Sequence, residues 1–557
     1  MTVDSAAPAA RQHADRQVTR YRAAHMVAVG MLAALMAAGY SVFSLVLNYT
    51  FQTSSYDLVI FDEAVRSYAH FRPGISIVKG LHNGFGPHFS ILGDHWSPIL
   101  ASLAPLYWIH DSPTTLLVAQ AVLFALALPP LWVFTRRAFG GGGKATAAAY
   151  LVSVAYMVSW PIGSAAAFDF HEVAFAPVLI AVALERLQAG RLRTALIALA
   201  ALLLVKEDMG LLVAGIGVYL AVARPRQVRR QRIVALALIV GGVADTWLAT
   251  YVLIPAFGGR ASYYWAYGAL GRDAPQVAVH IVTHPLGALR LFITPGIKLD
   301  TILWLLAPFC FLPLLSPISI AVIPLLAERM LQDQFPNWWV TGYHYNAYLV
   351  IILACGGVDG AARLGRWVRR ARQGNRARAG KPARNETDGS VSTVGLCAAV
   401  AMCAVGVYLI PRFALGPALH SSFYQQTAEE QAAAAAVAAV PSGVTVEAVD
   451  RLGPHLSGRD TVLLWDGDGG TPVFAPWVIA ATFGPQFTFH SVQEQEQRIA
   501  LLQRHGYKTV FDHGGFIVLH SANAAKAGPN AAKAGPNAAK AGPNAAKAGP
   551  GSAGHGG

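Results

Sequence analysis

Membrane-length apolar runs alternate with short basic clusters along most of this 557-residue chain. The first run, Ala23 to Leu47, is long enough to cross a bilayer as a helix. It lacks a convincing small-residue cleavage site, so it is predicted to stay in the membrane. Hydrophobic residues make up 54% of the chain and charged residues only 13%, which excludes an ordinary soluble protein of this length. The sequence therefore predicts a polytopic membrane protein.

The basic clusters give the chain a predicted orientation. Its net charge of +13 is divided among short clusters between the apolar runs, most prominently Arg363 to Arg384, which is predicted to be a disordered loop. Cytoplasmic loops carry such an excess of Lys and Arg, so the charge predicts an orientation and no nucleic-acid partner. With the clusters inside, the path predicts about eleven crossings, a cytoplasmic N-terminus and an external C-terminal region.

Composition divides the chain into four predicted segments. After about residue 420, an Ala-rich helix at Ala428 to Val440 and strand-like runs such as Val444 to Ala448 predict a small soluble α/β domain. The tail repeats Asn-Ala-Ala-Lys-Ala-Gly-Pro four times, and it is predicted to be disordered because Gly-Pro interrupts any helix. The segments are a basic leader at 1–22, an all-α transmembrane bundle at 23–415 with a long external loop at 48–111, the external α/β domain at 420–520, and the tail at 521–557.

Ionisable residues beside the apolar runs are predicted to share the external side. Charge at membrane depth is costly and usually functional, so several sequence-distant motifs on one side predict a shared functional cavity. The residues concerned are Asp57, Asp62, Glu63, Asp94, His95, Asp169, His171, Glu172, Lys206, Glu207, Asp208, Glu328, Arg329, His344 and Tyr345.

Such a cavity suits glycosyl transfer from a lipid-phosphate sugar. A carboxylate near the membrane surface can take a proton from an acceptor hydroxyl, while a cation stabilises the departing phosphate. Asp57, Asp62 and Glu63 are the candidate bases. Five residues turn about 500° on a helix, so Asp57 and Asp62 would not share a face, and Asp62 could instead pair with Arg66 at i,i+4.

The remaining motifs each have a structural and a functional interpretation. Asp94 could cap a following helix, or could bind substrate or metal together with His95. The group Asp169, His171 and Glu172 could be solvated, or could position substrate or a divalent cation. No cofactor follows from this spacing alone; a divalent cation, Mg²⁺ or Mn²⁺, is the one candidate.

The triplet Lys206-Glu207-Asp208 lies between two short apolar runs. Either its charges pair internally, or Lys206, and with it Arg329, faces a phosphate. The motif Tyr343-His344-Tyr345 could belong to an aromatic belt at the membrane surface, or could stack on sugar or line a polyprenyl groove.

These motifs also carry a family resemblance over residues 40 to 520. They are Asp57-Leu58, Phe61-Asp62, the run Leu92 to Leu100, Ala104 to Tyr107, Phe170-His171-Glu172, Lys206-Glu207-Asp208, His344-Tyr345, Gly506-Tyr507 and Phe516 to Leu519. In them the chain resembles a family of uncharacterised bacterial membrane proteins, common in actinobacteria. That family is itself similar to the GT-C superfamily of integral membrane glycosyltransferases.

The resemblance implies a GT-C-like enzyme of the bacterial plasma membrane. Enzymes of that superfamily use polyprenyl-phosphate sugars on the outer face, typically with inversion, and carry acidic residues in a long first external loop. It therefore implies a polyprenyl-phosphate sugar donor, a cell-envelope glycan or lipid acceptor, and contact with membrane lipids. The adjacent pair Asp62-Glu63 fits the superfamily's acidic motif better, whereas the family likeness includes Asp57.

Two alternatives come from other functional classes. A transporter or flippase of lipid-linked sugars would line its pathway with charges, but no repeat between the halves is visible and the charges gather on one side. A non-catalytic scaffold for envelope assembly would act through the external domain at 420–520. Such a scaffold would tolerate substitution of every residue in the cavity.

Overall fold

The computed structural model describes residues 6–223, 229–378, 389–466, 475–522 and 524. Helices dominate up to residue 409. They are α1 (Ala6–Tyr49), α2 (Ile60–Ala69), α3 (Ile77–His82), α4 (Ala104–Tyr107), α5 (Thr114–Ala125), α6 (Leu128–Ala138), α7 (Gly142–Met157), α8 (Trp160–Ala167), α9 (Phe175–Gln188), α10 (Leu192–Leu202), α11 (Met209–Ala223), α12 (Arg229–Leu248), α13 (Ile254–Ala256), α14 (Ala274–Thr283), α15 (Pro285–Ile293), α16 (Ile297–Leu306), α17 (Ile323–Leu331), α18 (Ala347–Arg378) and α19 (Gly389–Leu409).

Six helical stretches within the described residues are long and apolar enough to cross a membrane. They are Ala23–Tyr49, Thr114–Ala138, Gly142–Ala167, Arg229–Ala256, His344–Gln373 and Gly389–Arg412. A pair bent by 107°, α14 with α15, would make a seventh if it is one span. The polytopic membrane class is thus supported, but the predicted eleven crossings are not confirmed.

Helix length explains the difference in the number of crossings. Several apolar runs that were predicted to cross form helices too short to do so. Helix α9 has 14 residues and rises only about 21 Å, against a hydrocarbon core of roughly 30 Å. The two short apolar runs beside the Lys206 triplet form helices α10 and α11, which have 11 and 15 residues.

Helix α18 lies at the centre of the bundle and packs against α9, α19 and the turns between α16 and α17. Its first residues, including Leu349 to Ile352, are fully buried. The prediction that a loop begins at Arg363 is wrong, because α18 continues to Arg378. Ala, Leu and Arg have high helix propensity, and no Gly-Pro or Pro signal ends the helix at the membrane boundary. Residues 379–384 of that predicted loop lie outside the described residues.

The pair α11 and α12 pack closely because two glycines face each other. A Cβ atom on Gly210 would lie 2.3 Å from the Gly242 carbonyl oxygen, and one on Gly242 would lie 2.2 Å from the Gly210 oxygen. Small residues allow helix backbones in a membrane to approach in this way. The contact fixes the first turn of α11, directly after the Lys206 triplet.

The C-terminal part contains the predicted sheet, with five strands in the order β2-β1-β3-β5-β4. Strand β1 is parallel to β2 and β3, whereas β5 is antiparallel to β3 and β4. The elements are α20 (Ala428–Ala438), β1 (Thr445–Ala448), β2 (Thr461–Leu464), β3 (Trp477–Ala481), α21 (Val492–Arg504), β4 (Lys508–His513) and β5 (Phe516–His520).

The structure describes only part of each end of the chain. The predicted leader at 1–22 is helical from Ala6, as the start of α1. The predicted tail at 521–557 lies outside the described residues except for Ser521, Ala522 and Ala524. The division of the chain into four segments stays a prediction.

Candidate functional site

Several connecting segments of the bundle meet at one group of ionisable side chains. They are the first loop, the α8–α9 connection, the α10–α11 turn and the short turn His344–Asn346 before α18. Each segment lies between apolar helices, so its polar residues are carried to the same region by the packing of those helices. We call this group the central cluster and define it as Asp57, His95, His171, Glu172, Lys206, Glu207 and His344.

Of the three candidate bases, only Asp57 belongs to the central cluster. It lies on a π-helical turn, Ser55–Val59, directly before α2. Its side chain is 27% exposed, and its Oδ1 atom is 3.4 Å from His171 Nε2. Such turns widen the helix locally and occur frequently at functional sites. Asp57 thus combines a histidine partner with access from solvent.

His171 and His344 form a stacked pair at the centre of the cluster. Their ring centroids are 3.6 Å apart and their planes differ by 21°. Phe168 covers both rings, at centroid distances of 5.4 and 5.6 Å. Within the described residues, His171 Nδ1 and both ring nitrogens of His344 have no hydrogen-bond partner although both side chains are buried. Buried polar atoms are nearly always satisfied, so these nitrogens are available to water or a ligand.

Lys206 and Glu172 form a buried ion pair. Lys206 Nζ lies 3.1 Å from Glu172 Oε1; the Glu172 side chain is fully buried, and 12% of the Lys206 side chain is exposed. The α10–α11 turn positions Lys206 between two apolar helices. The internal pair therefore forms, and part of the lysine side chain remains accessible.

Glu207 joins the α10–α11 turn to the first loop. Its Oε1 atom is 2.8 Å from His95 Nδ1, and its Oε2 atom accepts a hydrogen bond from the Trp96 backbone N–H at 3.1 Å. The His95 ring stacks on Tyr264 with centroids 5.0 Å apart. These contacts join residues more than 100 positions apart in the chain. The second acid of the triplet, Asp208, has a pKa that burial raises to about 7.

A second buried ion pair, Lys79 with Asp94, adjoins His95. Lys79 Nζ is 3.0 Å from Asp94 Oδ1, and the Tyr264 hydroxyl donates to the same oxygen at 2.8 Å. Burial acts to raise the pKa of Asp94, but the charges of Lys79 and His95 outweigh burial and the pKa is lowered. Sequence reasoning missed Lys79 and Tyr264, although Lys79 is the one lysine of the long first loop. Asp94 is therefore ion-paired, and the residue at the N-cap of the following helical turn is Ser97 instead.

Asp62 bonds to residues outside the central cluster. It is fully buried and accepts a hydrogen bond from the Tyr107 hydroxyl at 2.7 Å. Arg66 Nη1 lies 2.8 Å from the Asp62 Oδ2 atom, in the i,i+4 arrangement. These contacts match the structural interpretation of Asp62.

Glu63 also makes a local structural contact. Its Oε2 atom accepts hydrogen bonds from the Ser76 hydroxyl at 2.8 Å and from the Val78 backbone N–H at 3.0 Å. A carboxylate at the first turn of a helix is favourable, because the unpaired N–H groups there carry partial positive charge. Glu63 thus holds the start of α3.

We expect the contribution of Glu63 to stability to depend on pH. Burial outweighs the hydrogen bonds from Val78 and Ser76, which act to lower the pKa of Glu63, and raises this pKa to about 8, above the ordinary value of about 4.3. A raised folded-state pKa means that this contribution is complete below about pH 4 and is lost as pH rises through about 8. Glu63→Gln keeps an acceptor oxygen without the charge, so it should raise the unfolding temperature by a few degrees at pH 8.5 and leave it unchanged at pH 4. Thermal unfolding at both pH values tests this; equal shifts would contradict it.

Asp169 and Arg329 hold backbone segments next to the cluster. Asp169 Oδ2 accepts hydrogen bonds from the Ser54 backbone N–H at 2.9 Å and from its hydroxyl at 2.7 Å. Arg329, which is buried, donates to the Trp338 carbonyl at 2.7 Å and to the Tyr345 carbonyl at 2.8 Å. Its guanidinium therefore positions the turn that carries His344. The Tyr345 ring lies 4.2 Å from the His344 ring.

The C-terminal part packs against the turn that carries Asp57. The Asp450 carboxylate accepts a hydrogen bond from the Tyr56 backbone N–H at 2.9 Å, and the Ser55 hydroxyl donates to the Asp450 carbonyl at 2.6 Å. Burial raises the pKa of Asp450 to about 7. No local pattern in the sequence indicates this contact, because the partners are nearly 400 residues apart.

Gly453→Ala should displace that turn. A Cβ atom at position 453 would lie 1.8 Å from the Ser55 hydroxyl oxygen, whereas one at Gly458 would be 3.6 Å from its nearest neighbour. Overpacking of this kind costs about 1–3 kcal/mol. We expect a lower unfolding temperature for Gly453→Ala than for the control Gly458→Ala, and recovery when Ser55→Gly is added. Equal unfolding temperatures for the two alanine variants would contradict this packing.

The geometry of the described residues does not support a metal site. Among the residues that the structure describes, no group of three or more His, Cys, Asp or Glu side chains could hold a metal ion. The Mg²⁺ or Mn²⁺ candidate stays a prediction.

Comparison with solved structures finds ArnT from Cupriavidus metallidurans, in a crystal structure bound to undecaprenyl phosphate. The match has 12% sequence identity and covers 89% of this chain and 98% of that one, with a TM-score of 0.45. That similarity is too low to assign a fold or an activity. No curated protein matches the chain.

Comparison with family models tests the family resemblance that the sequence motifs indicated. The model described as "Predicted membrane protein (DUF2079)" matches residues 47–518, which include the whole central cluster and the C-terminal sheet up to β5. The resemblance to a family of predicted membrane proteins is thereby confirmed. Because this match covers most of its length, the chain belongs to the DUF2079 family of predicted membrane proteins.

Proposed function

We propose that the chain is a membrane glycosyltransferase. It transfers a sugar from a polyprenyl-phosphate donor to a cell-envelope glycan or lipid on the predicted external side. Asp57 takes the proton of the acceptor hydroxyl as that oxygen bonds to the anomeric carbon. The bond from this carbon to the phosphate oxygen breaks, with inversion, and polyprenyl phosphate leaves.

The single observation that carries the proposal is the different environment of the three first-loop acids. Asp62 is fully buried against Tyr107 and Arg66, and Glu63 is bonded to the start of α3. Asp57 is partly exposed and borders the stacked histidines. A general base must reach the proton that it removes, so Asp57 is the acid best placed for the role.

A cation for the leaving phosphate is available in the same cluster. The Lys206 side chain is partly exposed beside Glu172. Lys206 pairs with Glu172, and Asp57 lies 3.4 Å from His171, the residue directly before Glu172. The proposed base and cation therefore contact adjacent residues of the chain. A fixed positive charge in a poorly hydrated site stabilises a departing phosphate.

Polar and aromatic groups suited to a sugar adjoin the proposed base and cation. The free ring nitrogens of His171 and His344 can bond hydroxyl groups. Phe168 and Tyr343 form an edge-to-face pair with centroids 4.5 Å apart, and an aromatic face can pack against a sugar ring. The donor's polyprenyl chain would lie in the membrane.

The experiment is a transfer assay with the full chain in proteoliposomes. It uses a panel of radiolabelled polyprenyl-phosphate sugars and envelope acceptors, each with and without EDTA. Label in an acceptor establishes a transferase, and the EDTA arm reports on a divalent cation. Label that crosses the bilayer unchanged would contradict the proposal and favour a transporter or flippase. If folded protein neither reacts with nor moves any donor, the scaffold alternative is favoured.

A further inference from the structure

A cavity lined by arginines lies at the far end of α9 from the central cluster. It has a volume of about 350 Å³ and is lined by Arg137, Arg186, Gln188, Ala189 and Arg191. Helix α9 begins three residues after Glu172 and ends at Gln188. Its 14 residues separate the two sites by about 20 Å along the helix axis.

The cavity has more positively charged arginines than acidic side chains to neutralise them. Glu185 is 1% exposed; its Oε1 atom is 2.8 Å from Arg137 Nη2, and its Oε2 atom pairs with Arg186 Nε. Arg191 is exposed, and its side chain has no hydrogen bond or ion pair to the described part of the chain. Three guanidinium groups with one carboxylate leave an excess of two positive charges.

The unused N–H groups define what the cavity can hold. Arg137 also donates to the Glu185 carbonyl at 3.2 Å and to Gln188 Oε1 at 3.0 Å, so most of its donors are engaged. In contrast, neither terminal nitrogen of Arg186 bonds to the described residues. Arg186 and Arg191 therefore present donors in the planar fork that matches phosphate oxygens.

The position of the cavity indicates where that phosphate comes from. Arg137 lies in the last turn of the candidate span Thr114–Ala138, so the cavity is at the depth of lipid headgroups. Basic pockets between membrane helices on the cytoplasmic side bind anionic headgroups, and the basic clusters predict that this side is cytoplasmic. We propose that the cavity binds the phosphate headgroup of an anionic phospholipid, at a site separate from the central cluster.

The test measures lipid binding to the full chain in detergent by native mass spectrometry. The probes are phosphatidylglycerol, phosphatidylcholine and inorganic phosphate. The variant Arg186→Gln/Arg191→Gln is compared with Arg193→Gln, a neighbouring exposed arginine that does not line the cavity. Since one basic residue near anionic lipid contributes about fivefold in affinity, the double variant should bind phosphatidylglycerol roughly thirtyfold more weakly.

Each outcome decides the proposal. Preferential binding of phosphatidylglycerol that is lost in the double variant and kept in Arg193→Gln supports it. Equal binding of phosphatidylcholine, or no difference between the variants, would overturn it. Competition by millimolar inorganic phosphate would identify a free anion as the ligand and overturn the assignment to lipid. The readout does not depend on sugar transfer, so it stands apart from the proposed enzymatic function.

Discussion

Asp57→Asn is expected to lower the rate of sugar transfer by about 10²- to 10⁴-fold, the usual contribution of a general base. Asparagine has the same shape but cannot take the proton of the acceptor hydroxyl. The side chain is 27% exposed and contacts His171, so the variant should remain folded. Initial rates at saturating donor and acceptor measure the effect.

The matched control for this variant is Asp273→Asn. Asp273 is an exposed acid that caps α14 by accepting a hydrogen bond from the Gln276 backbone N–H at 2.9 Å, and asparagine caps a helix equally well. The control should transfer at the wild-type rate. Asp62→Asn should lower the free energy of unfolding, while the transfer rate per folded molecule stays close to that of the wild type. A rate for Asp57→Asn within twofold of wild type would remove Asp57 from the mechanism.

Lys206→Met is expected to lower the free energy of unfolding by about 3–5 kcal/mol, because it leaves a buried carboxylate without its partner. Glu172 is fully buried and Lys206 is 3.1 Å from it. Adding Glu172→Gln removes the unpaired charge, so the double variant should recover most of the stability. Denaturant titration of the purified chain measures both effects.

The double variant separates the structural role of Lys206 from its proposed catalytic role. If Lys206 meets the donor phosphate, transfer should stay low in Lys206→Met/Glu172→Gln although the protein is stable again. Recovery of transfer together with stability would show that the lysine only balances Glu172. An exposed ion pair provides the comparison. The Arg363 side chain is 44% exposed beside Asp359, so Arg363→Met should lower the free energy of unfolding by less than about 1 kcal/mol.

Hydropathy and charge pattern were enough to predict the membrane class and the C-terminal sheet, because both depend on local composition. They were not enough for the number of crossings. An apolar run such as Val173 to Leu187 has the hydropathy of a span, yet α9 has only 14 residues and is buried among other helices. Hydropathy predicts that a segment is shielded from water, but it cannot distinguish a segment surrounded by lipid from one buried inside the protein.

The members of the central cluster were named from the sequence, but their pairings were not. Spacing predicted the pair Asp62 with Arg66, since i,i+4 neighbours meet on any helix. The pairs Lys206–Glu172 and Glu207–His95 depend on how helices pack. Asp450, whose carboxylate accepts from the Tyr56 N–H, was missed for the same reason. No local pattern records a contact between residues 56 and 450.

Photocrosslinking tests most directly whether the central cluster holds a polyprenyl-phosphate donor. A polyprenyl phosphate with a diazirine on its first isoprene unit is irradiated with the full chain in nanodiscs, and labelled peptides are identified by mass spectrometry. Label is expected in the segments around Phe168 to Glu172, Lys206 and Tyr343 to Tyr345, and excess unlabelled polyprenyl phosphate should remove it. Label confined to exposed faces of α12 and α14, unaffected by competitor, would contradict this expectation.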